Sequence, residues 1–478
     1  HCVTRRQRQM CIRDSNIGLF LQKQNLEQNI VSLMFADIVV KKGLNLSLVG
    51  QSARKILNPK LSKNFSIYPA DFHGVFPKLV VKENDIVKAG DVLFYDKNSE
   101  KVKFCSPVSG RVEEIVRGDR RVVLEIKIVS DEKETYKKLS SVKSKKPHDI
   151  IDFLASSGLM PFIKQRPYDV IANPDILPNH IYISGFDSSP LAADFEYCLK
   201  DQLENIQTAI DHLSLLTSGK TFLTLKKGNS NVFKDIEGVS KINVSGPHPS
   251  GNLSTVINKI TPINKGDIIW TLNLPDLAII GNAISTNKFV ADRIIALTGS
   301  SFNETCYVKS RIGCSIEKLL DLNETNSRII SGNVLTGTQV GMKGHLRFYS
   351  NEITAIPEGN DYDLFGWAKP MFNKFSVSRA LTFSWLFPSK KYDLNTNTNG
   401  EHRAFVVTGS FEEVFPLDIF PMQILKACMY KDLDEMEALG MYEVSPDDFA
   451  LTEFICVSKQ PHQSIIRQGL DLMKKEIG

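Results

Sequence analysis

The sequence contains no long apolar segment. No run of about 18 apolar residues occurs, and the best candidate, residues 30–40, is interrupted by Asp37. The sequence therefore predicts no transmembrane helix, and it has no secretory signal. We expect a cytoplasmic chain whose association with any membrane comes through a partner.

Closely spaced cysteines are missing too. The chain has 8 cysteines, and no two of them have CxxC spacing. Zinc knuckles and iron–sulfur clusters need several closely placed thiolates, so the sequence lacks the ligands for both. We predict buried, reduced thiols at Cys2, Cys11, Cys105, Cys198, Cys306, Cys314, Cys428 and Cys456.

An excess of charge is absent from most of the chain. The formal charge is +4, and residues 1–33 hold five basic and two acidic side chains, so the remainder is close to neutral. This balance argues against nucleic acid as a partner. We interpret residues 1–33 as a leader foreign to the fold, either artefactual or disordered, ahead of a start at Met34. Its arginines would also suit a transit peptide.

Residues 37–135 have the pattern of a barrel-sandwich hybrid domain, the fold of biotinyl and lipoyl carriers. Within residues 79–115, short apolar alternations end in Asn-Asp, Gly-Asp and Ser-Gly turns. Carriers hold their acceptor lysine in a short hairpin. Here the corresponding hairpin, residues 95–103, looks longer and lacks the usual flanking residues. A carrier with lipoate or biotin on Lys97 or Lys101 remains an alternative.

Residues 145–290 follow a basic linker, 137–147, and predict a Rossmann-like domain. HIYIS at 180–184 reads as a buried strand, an amphipathic helix follows over 199–213, and two further strands come after it. The loops lack the GxGxxG phosphate fingerprint. The GPHPSG segment, 246–251, has two prolines that lack N–H donors, so we read it as a rigid turn without a nucleotide.

The remainder predicts two smaller domains. Residues 291–350 show hairpin, helix, strand order, which indicates a β-grasp (SLBB-like) domain with Ser315 capping its helix. Residues 360–478 become helical, with a strong helix start at Ser445. The predicted fold class is therefore an α/β multidomain protein, α+β overall.

Several segments together resemble one family, the NqrA subunits of the bacterial Na+-translocating NADH:quinone reductase. The resemblance runs from about Asp37 to Gly478. It rests on KKGL (41–44), SPVSGRV (106–112), GPHPSG (246–251), ISGNVLTGT (330–338), LFGWAKPMFNKFSVSR (364–379) and TNTNG (396–400). The long LFGWA block is compositionally unusual, which makes a chance match improbable.

The resemblance implies a soluble protein on the cytoplasmic face of the bacterial inner membrane. It would work with five other subunits, B to F, some of them integral membrane proteins. The family's complex passes electrons from NADH to ubiquinone and exports sodium. The resemblance places FAD, FMN, riboflavin and the iron–sulfur centre in other subunits and no cofactor in this one. The alternative is an electron-input subunit like that of the Rnf complex, although Cys456 alone could not hold a cluster.

The resemblance also points to two segments for quinone contact. A quinone needs an apolar wall for its ring and donors for its carbonyl oxygens. His73 could deliver a proton to a reduced quinone, since histidine titrates near neutral pH. Ordinary aromatic packing is the competing explanation for the candidate residues, which are Tyr68, Phe72, His73, Gly74 and Phe76 in the first segment and Phe162, Arg166, Pro167 and Tyr168 in the second.

Overall fold

The computed structural model describes residues 35–228, 232–359, 365–366, 374–377, 385–387 and 389–478. The leader 1–33 and most of the LFGWA block lie outside these residues. The strands of the described part, in chain order, are β1 Phe35–Val39, β2 Ile56–Leu57, β3 Asn64–Ile67, β4 Pro77–Leu79, β5 Ile86–Val87, β6 Val92–Asp96, β7 Ser99–Cys105, β8 Gly110–Arg117, β9 Val123–Ser130, β10 Lys164–Arg166, β11 Val170–Ile171, β12 His180–Ser184, β13 Thr221–Lys226, β14 Ser240–Ser245, β15 Ile269–Asn273, β16 Asp292–Thr298, β17 Tyr307–Arg311, β18 Ser327–Ser331, β19 Thr338–Val340 and β20 Glu352–Pro357.

The α-helices of the same residues are mostly short. The longest is α10, and no described helix combines the length and the apolar character needed to cross a membrane. In chain order they are α1 Pro147–Ser156, α2 Phe195–Leu199, α3 Leu203–Leu213, α4 Leu253–Ile260, α5 Leu274–Thr286, α6 Phe411–Val414, α7 Pro421–Tyr430, α8 Leu433–Ala438, α9 Ala450–Ile455 and α10 His462–Glu476.

A seven-stranded sheet forms the centre of the molecule, in the order β1-β14-β13-β12-β15-β10-β11. The strands from β1 to β15 are parallel, and β10 and β11 add an antiparallel edge. Four strands taken in chain order, β12 to β15, lie in the order 3-2-1-4, which is the Rossmann arrangement. The predicted strand HIYIS matches β12, because a strand covered on both faces reads as a continuous apolar run.

The barrel-sandwich hybrid consists of a four-stranded sheet, β3-β9-β8-β5, and a three-stranded sheet, β4-β6-β7. Its aromatic core includes Phe94 and Phe104, whose rings stack with centroids 4.4 Å apart. The hairpin between β6 and β7 differs from expectation. Asp96 pairs with Ser99, so Lys97 and Asn98 form a tight two-residue tip instead of a longer loop.

A third sheet, β19-β18-β20-β16-β17-β2, contains the predicted β-grasp hairpin, β16 and β17. The expected helix is a single 3-10 turn, Glu317–Leu319, preceded by Ile316 instead of a Ser315 cap. Ser315 donates its backbone N–H to the carbonyl of Asn64 across the domain boundary, so it is held outside the helix.

Two strands from the range assigned to the barrel-sandwich unit pair elsewhere. Strand β1 pairs in parallel with β14 of the central sheet, and β2 pairs with β17 of the third sheet. The linker is also packed: the Leu139 side chain is buried, and its N–H donates to the carbonyl of Asn287. These strands and the linker are shared seams between units of the fold.

The C-terminal helices pack against the central sheet in one apolar cluster. Ser445 and Asp448 form a reciprocal capping box, as the sequence indicates, and the first turn, Pro446–Phe449, is 3-10 before α9 begins. This placement brings the carboxyl groups of the cap to the end of the central sheet where the cleft described next is located.

Candidate functional site

A cleft of about 470 Å³ opens at the carboxyl ends of the parallel strands. It is lined by Ser184 at the end of β12 and by Asn273 at the end of β15. Strand order reverses between these neighbours, because β13 and β14 lie on one side of β12 and β15 lies on the other. Open α/β sheets bind ligands at such a switch point. The topology alone therefore makes this cleft the first candidate site.

The GPHPSG loop forms one wall of the cleft, and its backbone donors are already used. The N–H of His248 donates to Asn45 Oδ1 (3.0 Å) and that of Gly251 to Ser188 Oγ (2.8 Å). Ser250 and Asn252 donate back to the carbonyls of residues 247 and 249. The loop therefore offers none of these four N–H groups to a phosphate, which agrees with its interpretation as a rigid turn.

The edge hairpin of β10 and β11 brings a cationic group into the cleft. Arg166 is only 8% exposed, and its Nε and Nη1 have no hydrogen-bond partner. Its closest charge is Asp169, whose Oδ1 lies 3.7 Å from Arg166 Nε. Leaving a buried N–H unbonded costs about 1–3 kcal/mol, so two such groups on one side chain suggest a missing acceptor.

Asp169 is shared among several cations. Its Oδ2 lies 3.7 Å from Lys164 Nζ and 3.2 Å from Arg467 Nη2. Burial alone would raise the pKa of Asp169, but Lys164, Arg166 and Arg467 outweigh burial and lower it well below its usual value. Asp169 is therefore ionised, and it holds the three cations at the cleft without bonding the free nitrogens of Arg166.

Aromatic rings form the apolar part of the wall. Phe162 is buried, and its ring centroid lies 4.7 Å from that of Phe348. Tyr349 donates its hydroxyl to the carbonyl of Pro161 (2.7 Å), and Lys164 Nζ lies 4.9 Å above the Tyr349 ring. The cleft thus combines ring surfaces with the buried donors of Arg166.

Two buried carboxyl groups in the cleft favour their protonated form. Burial raises the pKa of Glu352 well above its usual value, and nearby Asp187 adds to the effect. Burial likewise raises the pKa of Asp447, although Lys164 opposes the change. Glu352 accepts the N–H of Ala193 (2.9 Å), which fixes its position. These two groups can hold a proton beside a bound molecule.

Three family models match the chain in turn. They are the NqrA N-terminal barrel-sandwich hybrid domain over residues 38–131, the NqrA second alpha/beta domain over 145–289, and the NQRA C-terminal domain over 294–341.

Curated relatives match the chain along almost its whole length. Proteins named as the NqrA component of the Na(+)-translocating NADH-quinone reductase are 33% identical over 447 residues in Histophilus somni, which is 92% of this chain and 100% of the relative. The corresponding values are 34% over 444 residues in Marinomonas sp. (91% and 99%) and 34% over 448 residues in Haemophilus influenzae (92% and 100%).

This chain belongs to the NqrA family of the Na+-translocating NADH-quinone reductase. The resemblance seen in the sequence is thereby confirmed, as is the α/β multidomain fold with barrel-sandwich hybrid and SLBB-type domains. A solved NAD+-reducing [NiFe]-hydrogenase is a distant likeness, with a TM-score of 0.38 and 10% identity over 69% of this chain and 61% of that one.

The structure places two of the quinone-contact candidates of this NqrA family member in the cleft wall. These are Phe162 and Arg166, both from the second predicted segment. The first segment contributes Ala70 and Asp71 instead of its aromatic residues. Asp71 pairs with Arg347, whose Nε lies 2.6 Å from Asp71 Oδ1.

Tyr68 and Phe72 lie behind the cleft, in the interface between domains. Tyr68 donates its hydroxyl to Glu125 (2.8 Å) and lies 3.0 Å from His345 Nδ1. Phe72 is buried, and its ring centroid lies 4.7 Å from that of Phe348. Because Phe348 also contacts Phe162, one ring joins the two predicted segments.

His73, Gly74 and Phe76 lie nearer the surface. His73 Nε2 is 2.6 Å from Asp471 Oδ1 on α10, and the imidazole is partly exposed. Gly74 has a φ of +76°, a conformation that favours glycine. Phe76 is 62% exposed, and its N–H donates to Asp96. These three residues are not among those that line the cleft.

Pro167 and Tyr168 follow Arg166 in the turn of the edge hairpin. The bond between Arg166 and Pro167 is cis, and Tyr168 has a φ of +81°. Helix α10 fixes this turn, because Arg467 Nη1 donates to the Tyr168 carbonyl (2.8 Å). Helix α10 thus holds both predicted segments, through Asp471 and Arg467.

Sequence reasoning missed most of the cleft. Glu352 and Asp447 come from domains with no quinone motif, and Ser184 and Asn273 were not singled out. The signal for the last two was present, since each ends a buried strand of the Rossmann-like sheet. The separate requirement for metal ligands is also not met: in the described residues, no group of three His, Cys, Asp or Glu side chains could hold a metal ion.

Proposed function

We propose that this chain acts as the NqrA component of a Na+-translocating NADH:quinone reductase, which reduces ubiquinone with NADH and exports sodium. It works at the cytoplasmic face of the bacterial inner membrane, attached through five other subunits, B to F, some of them integral. The observation that carries this proposal is similarity over 92% of the chain and the full length of the named relatives.

In this proposal the chain carries no redox centre. FAD, FMN, riboflavin and the iron–sulfur centre belong to the other subunits, and this chain binds and positions the quinone. The isolated chain is therefore not catalytic. An electron-input subunit like that of the Rnf complex is the alternative, and an iron assay with a visible spectrum of the purified chain distinguishes the two.

The switch-point cleft is the quinone-positioning site in this proposal. A ubiquinone head group is an apolar ring with oxygen acceptors, which suits the rings of Phe162 and Tyr349 and the free N–H groups of Arg166. Reduction of a quinone consumes two protons together with two electrons from a flavin held elsewhere in the complex. Glu352 and Asp447, whose pKa values are raised by burial, are placed in the same cleft to hold protons.

Affinity purification tests the assembly. A tagged chain is recovered from detergent-solubilised membranes of its host, and the eluate is assayed for NADH:quinone reduction with and without sodium. We expect a flavin-coloured complex with sodium-stimulated activity. A chain that elutes alone, colourless and inactive, would remove the proposal.

One observation favours a second candidate, a lipoyl or biotinyl carrier. Lys97 is exposed at the tip of a two-residue hairpin, the position of the acceptor lysine in carriers. Lys101, the other candidate, is paired with Asp175. The intact mass of the chain purified from its host decides this case, because either cofactor adds a fixed mass to Lys97.

A further inference from the structure

A second cavity of about 470 Å³ lies between helices α2 and α5 and the hairpin of β16 and β17. It adjoins the switch-point cleft and shares only Phe195 and Asn351 with it among the lining residues. Cavities of this size fall in the range that binds small molecules. Neither the proposed function nor the family resemblance uses it.

Most of the cavity wall is apolar. Helix α5 contributes Ala278 and Ile279, helix α2 contributes Leu199, and Leu61 approaches from the segment before β3. The exposed side chain of Lys309 marks its solvent side. A wall of this kind suits a short hydrocarbon chain or a small ring.

The polar end of the cavity has a donor without an acceptor. The guanidinium of Arg293 is nearly fully buried, with a side-chain exposure of 2%. Its Nη1 donates to Ser350 O and Asn351 Oδ1, both at 3.1 Å, and its Nη2 is bonded to Asp276. Its Nε has no hydrogen-bond partner. The protein thus supplies acceptors to both terminal nitrogens of this group and leaves the Nε–H without one.

A second donor lies beside it. Ser310 is 3% exposed, and its Oγ has no hydrogen bond of normal geometry. The Cys314 thiol is close enough for Ser310 to lower its pKa, but a thiol is a weak partner. Ser310 directly faces Arg293 across the hairpin, so the two side chains leave the same face of the sheet.

We propose that this cavity binds a small molecule with an apolar body and one oxygen acceptor at its end. The acceptor receives hydrogen bonds from Arg293 Nε–H and Ser310 Oγ–H, and the body lies against Leu199, Ala278 and Ile279. A carboxylate and a neutral amide carbonyl share this chemistry. The inference does not depend on the quinone assignment.

Calorimetric titration of the full chain tests the site with three probes. Octanoate and octanamide carry the two kinds of acceptor, and octyltrimethylammonium has the same chain without an acceptor. We expect saturable binding of octanoate, octanamide or both, and none of the cation. The better of the two acceptors identifies the head group.

Two variants locate the binding. Ser310→Ala removes one donor and should weaken the affinity about five-fold, the value of one hydrogen bond of about 1 kcal/mol. Ala278→Leu fills the cavity from α5 and should abolish binding. The matched control is Ser301→Ala, because Ser301 Oγ is also buried and unbonded but lies outside the cavity lining; it should bind like the unchanged chain.

Two outcomes would overturn the proposal. One is the absence of saturable binding by both acceptor probes. The other is binding that Ser310→Ala and Ala278→Leu leave unchanged, which would place the probes elsewhere on the chain. If Ala278→Leu lowers the melting temperature without ligand, the comparison of Ser310→Ala with Ser301→Ala decides the result alone.

Discussion

Arg293 and Asp276 form a buried ion pair that separates the two cavities. Asp276 lines the switch-point cleft from the first turn of α5, and Arg293 lines the second cavity from β16. Burial raises the pKa of Asp276, while Arg293 opposes this by lowering it. The pair therefore joins the central sheet to the third sheet in the wall that the two cavities share.

Removing one partner of this pair should destabilise the fold. Arg293→Met leaves the Asp276 carboxylate buried without its cation, which typically costs about 3–5 kcal/mol. Arg328→Met is the control, because its pair with Glu358 is more exposed and should be worth about 1 kcal/mol or less. Urea unfolding measures both. A loss below about 1 kcal/mol for Arg293→Met would contradict the structural role of the pair.

His462 should make the protein acid-sensitive. Burial lowers the pKa of its imidazole from 6.5 to about 4 in the folded chain. The unfolded chain therefore binds the proton first, and stability that is complete above pH 6.5 is lost as the pH falls towards 4. At pH 5 the loss from this group is about 2 kcal/mol.

The variant His462→Gln isolates this contribution. The fall in unfolding free energy between pH 7.5 and pH 5 should shrink by about 2 kcal/mol relative to the unchanged chain. His148→Gln serves as the control, since His148 is exposed on α1 and should leave the pH dependence as it is. An identical pH dependence in His462→Gln and the unchanged chain would show that His462 does not carry the effect.

Gly281 permits the close approach of α5 to α3. A Cβ at this position would overlap the backbone carbonyl of Asn205. Although alanine is the better helix former by about 1 kcal/mol, a clash with backbone should outweigh that gain, so we expect Gly281→Ala to lose about 1–3 kcal/mol. Gly341→Ala, where nothing lies within 4 Å, should be nearly neutral in the same thermal denaturation. Equal stability of the two variants would refute the packing argument.

Local patterns in the sequence predicted the elements but not the seams between them. HIYIS predicted a strand with the observed bounds, and the Ser445 cap starts a helical segment, because both signals depend on neighbouring residues. Strand β1 could not be placed in this way. Its partner, β14, lies about two hundred residues along the chain, and no periodicity encodes that pairing.

The cleft was predictable only in part for the same reason. Phe162 and Arg166 share one segment, so their types and spacing already suggested a ring wall with a donor. Glu352 and Asp447 reach the cleft from two other domains, and their raised pKa values arise from burial, which a sequence does not display. Hairpin length at Lys97 was misjudged because it depends on the strand register.

Titration of the purified chain with a short-chain ubiquinone analogue tests the central claim most directly. Arg166→Gln removes the unbonded donors, while Asp169 keeps its contact with Arg467, so the fold should persist. We predict saturable binding that Arg166→Gln weakens about 10- to 100-fold, the value of hydrogen bonds from a charged group, and that Arg328→Gln leaves unchanged. No saturable binding, or equal affinity of Arg166→Gln and the unchanged chain, would contradict quinone positioning in this cleft.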